Sequence, residues 1–211
     1  MDLQQLRRQF PVTDHWTYLN HAAVAPISLP VQRAMEHHLR DVAEHGLAHI
    51  TDWHALYADA RRSVGRLIGA RSDEIAFLKN TTDGLIAVAL GVQWRPGDSV
   101  VVAEREFPAN VYPWLGLADK GVSIRKVAER NGRLLVEDFA DAIDSHTRVL
   151  TVSSVEFFSG FRNDLAALGR LCRERDILFV VDGIQSVGAL HIDVEKMGID
   201  CLAADAHKWL M

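Results

Sequence analysis

Cysteine is scarce, with only Cys172 and Cys201 in 211 residues. That excludes a disulfide framework, and both thiols read as small buried hydrophobes in a reducing cytoplasm. No apolar run reaches the roughly 20 residues needed to cross a bilayer. No lysine–arginine run occurs, the net charge is −5, and the sequence pI is about 6.0. A surface of that sign does not attract nucleic acid or an anionic membrane. The opening residues, Met1-Asp-Leu-Gln-Gln-Leu-Arg-Arg8, are polar and helical in pattern, which is not the pattern of a cleavable signal. A glycine-rich first turn is missing too, and with it the fingerprint of an NAD-binding Rossmann domain. These absences lead us to expect a cytoplasmic protein whose partner is a small molecule.

Hydrophobic residues make up 48% and charged residues 24% of the chain, enough to bury a sizeable core. Two long helices are predicted early. The first has Ser28 as N-cap, Pro30 in its first turn and a stripe through Val31, Met35, Leu39 and Val42. Gly46 ends it. The second carries Trp53, Leu56, Tyr57, Ala60, Val64 and Leu67 and stops at Gly69. His45 and His49 are four apart, but Gly46 intervenes and no acidic or cysteine ligand stands out beside them. They read as part of a solvated connection, with no metal site.

From Ser72 the pattern changes. Apolar strand-like runs at Glu74–Lys79, Ser99–Ala103, Val122–Val127, Arg148–Ser153, Ile177–Val181 and Ile199–Ala204 alternate with helical stretches. That alternation predicts an α/β fold whose mainly parallel sheet is covered on both faces. We expect an N-terminal arm with helices over 1–71 and an α/β domain over 72–211. The irregular stretch Thr17–Pro26, rich in small residues, reads either as a packed arm or as the rim of a pocket.

Ligands of open α/β sheets sit outside the carboxyl ends of the strands, and several reactive residues fall there. Lys208, beside His207 and Asp205, follows the last strand; a desolvated amine in such a place can act as a nucleophile. Asp182 ends the most apolar strand, where a carboxylate is costly unless paired; a cationic ring nitrogen would pair it, and Gln185 follows three residues on. Asn80-Thr-Thr-Asp-Gly84 hands over to a helix, so Thr81 and Thr82 either cap that helix or cradle a phosphate. Phe107 offers a flat ring, or plain core packing. Lysine, buried aspartate, phosphate cradle and aromatic plate together are the parts that hold pyridoxal 5'-phosphate.

In these motifs the chain resembles the class V aminotransferase family of fold-type I pyridoxal-phosphate enzymes, which includes cysteine desulfurases, selenocysteine lyases, kynureninases and isopenicillin N epimerase-like proteins. The likeness runs from Tyr18-Leu-Asn-His-Ala-Ala23 through Asn80–Gly84, Glu106–Trp114 and Val181–Ser186 to Ala206-His-Lys-Trp209. It implies the large domain of a fold-type I enzyme that acts on an amino acid by aminotransferase, epimerase or lyase chemistry. By this resemblance Lys208 carries the cofactor as a Schiff base. Asp182 pairs with the ring nitrogen, Gln185 with the phenolic oxygen, and Phe107 stacks on the ring. Thr81, Thr82 and His207 take the phosphate. The resemblance also implies a homodimer, and a C-terminal small domain beyond Lys208 that this chain, with three further residues, does not contain. Three departures argue against desulfurase or selenocysteine lyase chemistry, which stays an alternative. Phe107 stands where those enzymes present a histidine, Asp205 where a serine is usual, and Phe157 where an asparagine is expected. A non-catalytic homologue that keeps only the fold is the rival from another class.

Overall fold

A computed structural model of the chain describes residues 2–211. After the short helix α1 (Leu3–Arg7) come the two long helices, α2 (Leu29–His45) and α3 (Ile50–Ile68). Gly46 and Gly69 end them with φ of 59° and 73°, a backbone region that residues with a Cβ avoid. Then follow α4 (Thr81–Gly91), β1 (Ser99–Ala103), α5 (Tyr112–Leu115), β2 (Ser123–Val127), α6 (Val136–Ala142), β3 (Thr147–Ser153), α7 (Leu165–Glu174), β4 (Leu178–Asp182), α8 (Val194–Met197) and β5 (Cys201–Ala203). The strands form one sheet in the order β2-β1-β3-β4-β5. Every pairing in it is parallel.

The strands are near-continuous apolar runs because both faces are covered. Successive side chains point to opposite faces. Val100, Val149 and Val180 therefore pack with Leu85 and Ala89 of α4 and with Trp114 of α5. Val101, Leu150, Phe179 and Val181 pack on the other face with Phe139 of α6 and with Leu165, Leu168 and Cys172 of α7. Helices α6 and α7 thus lie opposite α4 and α5. By contrast, α2 has no buried residue and α3 only Gly65 and Ile68, so the N-terminal helices meet the core at their far end.

Two sequence expectations need correction. Glu74 to Lys79 is not a strand: Glu74 closes a short 3-10 turn and the residues after it are extended but unpaired among the described residues. Its apolar content suits a strand, but strand formation needs a ladder partner. The side chains pack on other elements instead, with Phe77 edge-on to Tyr57 of α3 at 5.2 Å and Ile75 against the core. An acidic partner for the histidines also exists, since Asp41, one turn before His45, meets both His45 and His49.

Candidate functional site

All five strands run parallel, so their carboxyl ends open on one side of the sheet. Asp182 is the last residue of β4, flanked by Ser153 of β3 and Ala203 of β5. It is 1% exposed. Its Oδ1 accepts the Ile184 N–H at 3.0 Å, while Oδ2 is buried with no partner. Burial pushes its pKa up to about 6; the Ile184 N–H and the charge of Lys208 pull the other way. The turn after Asp182 is compact. At Gly183 a Cβ would lie 2.8 Å from Leu202 Cδ1, and at Gly188 (φ 97°) it would lie 2.7 Å from the Trp209 carbonyl. The segments carrying Asp182 and Lys208 are packed against each other through these glycines.

Lys208 is half-buried just beyond β5. Desolvation lowers the pKa of its amine, against the opposing pull of Asp182 and Asp205. A larger neutral fraction at a given pH makes the nitrogen a better nucleophile.

Asp205 points into the start of α4. Its Oδ2 accepts the Thr81 N–H at 3.2 Å and the Thr81 hydroxyl at 3.3 Å. His207 Nδ1 lies 3.7 Å from the same oxygen. The helix cap itself is Asn80, whose Oδ1 accepts the Asp83 N–H at 2.8 Å, so the threonines are not needed as caps. Thr81 is buried and Thr82 half-buried at an N-terminus with two carboxylates, Asp205 on Thr81 and Asp83 in the first turn, which is what free N–H groups at a helix start favour.

The irregular N-terminal stretch forms a rim of this site. Gln185 Nε2 donates to the Ala22 carbonyl at 3.2 Å, and the Ala25 N–H donates to the His207 carbonyl at 2.8 Å. His21 stacks on Trp209 with centroids 5.6 Å apart. Gln185 is therefore near Asp182 in the chain, but its amide is engaged by the arm.

Phe107, 44% exposed, follows β1 and meets Phe157 edge-on at 5.1 Å. Phe158 is next to Phe157, with the Arg105 guanidinium 3.5 Å above its ring. Beneath this aromatic wall lies a buried acidic network that sequence reasoning missed. Glu106 accepts from the Ser153 N–H, from Ser153 Oγ at 2.7 Å and from the Phe107 N–H at 3.1 Å. Glu156 accepts from Asn163 Nδ2 at 2.7 Å, which also donates to the Ser153 carbonyl at 2.8 Å. Burial raises the pKa of both glutamates. Glu106 fixes the backbone of Phe107 and holds the end of β3, the strand beside the one that ends in Asp182. A charged residue three positions past the end of β1 was the available signal.

These residues suit pyridoxal phosphate. The partnerless Oδ2 of Asp182 is a buried acceptor waiting for a donor, and a protonated ring nitrogen is one. The start of α4 is an anion seat, as its hold on Asp205 demonstrates.

Comparison with known proteins gives concordant matches. The family described as aminotransferase class-V matches residues 17–211. A probable cysteine desulfurase of Methanothermobacter thermautotrophicus is 34% identical across 99% of this chain and 53% of its own length. An uncharacterized aminotransferase of Bacillus subtilis, YcbU, is 29% identical across 99% of the chain and 55% of its own. The apo structure of a cysteine desulfurase from Thermococcus onnurineus NA1 superposes with a TM-score of 0.89 at 28% identity, over 99% of this chain and 54% of that one. The chain thus spans about half the length of the curated relatives it matches. With an all-parallel sheet, a strand-end lysine and aspartate, and a family match from Thr17 to Met211, the chain belongs to the class V aminotransferase family.

Proposed function

We propose that this chain is the cofactor-binding part of a pyridoxal-phosphate enzyme acting on an amino acid, by aminotransferase, epimerase or lyase chemistry. The observation that carries the reading is the buried, partnerless Oδ2 of Asp182 at a strand end where the carboxyl feels the charge of the desolvated Lys208. Bound pyridoxal phosphate supplies an electron sink for negative charge at the substrate α-carbon. Lys208 Nζ anchors the cofactor, and once free it holds or returns the proton at that carbon. Asp182 Oδ2 accepts from the ring nitrogen and keeps it protonated. Thr81 and Thr82, with His207, seat the phosphate. Phe107 orients the ring by stacking and carries no transferable proton. Gln185, whose Nε2 donates to the Ala22 carbonyl here, would hold the phenolic oxygen through the same amide.

Incubating the purified protein with pyridoxal phosphate should produce a visible absorbance band. Borohydride should fix the cofactor mass on the peptide containing Lys208, and Lys208→Ala should remove both signals. Absence of band and label in the unmodified protein, under conditions where it is folded, would refute the reading and favour a homologue that keeps only the fold.

A second reading, cysteine desulfurase, is favoured by what the relatives are called. Phe107 and Phe157 weigh against it. An amino-acid panel scored for sulfide, keto acid and racemate separates the two. The homodimer and a cytoplasmic setting belong to the same proposal, and sedimentation of the purified protein tests the dimer.

A further inference from the structure

Away from the strand ends, the elbow between α2 and α3 brings together three groups of metal-ligating type. Asp41 and His45 are one turn apart on α2. Gly46, with φ of 59°, turns the chain back so that His49 arrives just before α3. His45 Nδ1 lies 3.1 Å and His49 Nδ1 2.6 Å from the same oxygen, Asp41 Oδ1. A ligand atom from each of the three fits within 4.8 Å of the others. The other carboxylate oxygen, Oδ2, accepts the Trp53 indole N–H at 2.9 Å. Trp53 in turn packs edge-on against His38 at 5.0 Å.

We propose that Asp41, His45 and His49 form a binding site for a divalent transition metal of the zinc type, which staples α2 to α3. Four observations support it. Two imidazoles and one carboxylate suit zinc, cobalt, nickel or copper, whereas magnesium and calcium prefer all-oxygen sets. The carboxylate is only 12% exposed and is held by the indole, the outer hydrogen bond that fixes the aim of a metal-binding carboxylate. The imidazoles, 48% and 46% exposed, leave room for water to complete the coordination. Finally, the elbow has little else to hold it, since α2 buries no residue and α3 is buried only at Gly65 and Ile68, far from the turn. A metal supplies cross-linking where apolar burial is thin. Each imidazole binds the metal through a deprotonated nitrogen, any proton on that nitrogen passing to solvent, and no redox step is involved.

The test uses chelator-stripped protein titrated with zinc by calorimetry and with cobalt by visible absorption. One equivalent of zinc should bind with a rise in melting temperature, calcium should not compete, and cobalt should give the bands of a low-coordinate nitrogen–oxygen site. The double variant His45→Ala/His49→Ala should lose the site. Trp53→Phe keeps all three ligands and should weaken zinc about tenfold, the effect of an outer hydrogen bond. Lys208→Ala should bind zinc unchanged, which separates failure here from failure of the cofactor reading. No saturable uptake, or uptake that survives the double histidine variant, overturns the proposal.

Discussion

Replacing Asp205 by alanine should have two opposite effects. In the cofactor-free protein, Asp205 accepts two hydrogen bonds from Thr81 at the start of α4. A carboxylate at a helix N-terminus contributes roughly 0.3–1 kcal/mol when exposed and up to about 2 when partly buried. The Asp205 side chain is 22% exposed, which places it near the middle at about 1 kcal/mol. For a chain of this size that is a fall in melting temperature of roughly 2–4 °C. In the site proposed above the cofactor phosphate takes the same N–H groups, so in the native protein it must first displace Asp205, at the same cost of about 1 kcal/mol. The variant is spared that cost and a like-charge repulsion. Its affinity for pyridoxal phosphate should therefore rise about five- to tenfold, since 1.4 kcal/mol is a factor of ten. Inorganic phosphate should protect the variant against heat more than it protects the native protein. Thermal unfolding and quenching of tryptophan fluorescence on cofactor titration measure both effects. A variant that melts at the native temperature, or that binds the cofactor more weakly, would show that Asp205 does not compete for the phosphate seat.

Asp182→Asn should stabilise the cofactor-free protein at pH 8 and not at pH 4. The native-state pKa is raised from 3.8 to about 6, so the carboxyl's favourable contribution is complete below pH 4 and is lost as pH rises through 6. At about 1.4 kcal/mol per tenfold change in proton affinity, the difference approaches 3 kcal/mol; an equal change in melting temperature at both pH values would contradict this account. Gly169→Ala should destabilise by roughly 1–3 kcal/mol in denaturant unfolding, because a Cβ there would lie 1.9 Å from the Met197 carbonyl. A neutral result would mean that α7 and α8 can move apart freely.

Much of the sheet was legible because parallel strands buried on both faces are written as plain apolar runs; Val100-Val-Val-Ala103 and Leu178-Phe-Val-Val181 are two such runs, and both are strands. Glu74 to Lys79 shows the limit of that signal. It has the composition of a strand, but a strand is a property of two segments, and one sequence window contains only one of them. The strand-end rule likewise pointed to Asp182 and Lys208, though not to Thr81, which follows a segment that forms no strand and starts α4. It could not foresee that Asp205 turns into the start of α4, since the partner is 124 residues away. Nor could it foresee that the Ala22 carbonyl takes the Gln185 amide. The contact of Asp41 with the histidines was hidden for a different reason: Gly46 separates His45 from His49 in sequence, while the helix sets Asp41 a full turn before His45, against both.

The hold of the N-terminal arm on the site has a consequence for how the protein matures. Gln185 reaches across 163 residues of sequence to the Ala22 carbonyl, and Ala25 reaches further still, to His207. Closing such distant contacts is the slow, entropically costly part of folding. During synthesis the arm leaves the ribosome before β5 and Lys208 and cannot settle until they have followed. The rim of the site is therefore among the last parts to form, and a nascent chain can pair β1, β2 and β3 before it has a place for a ligand.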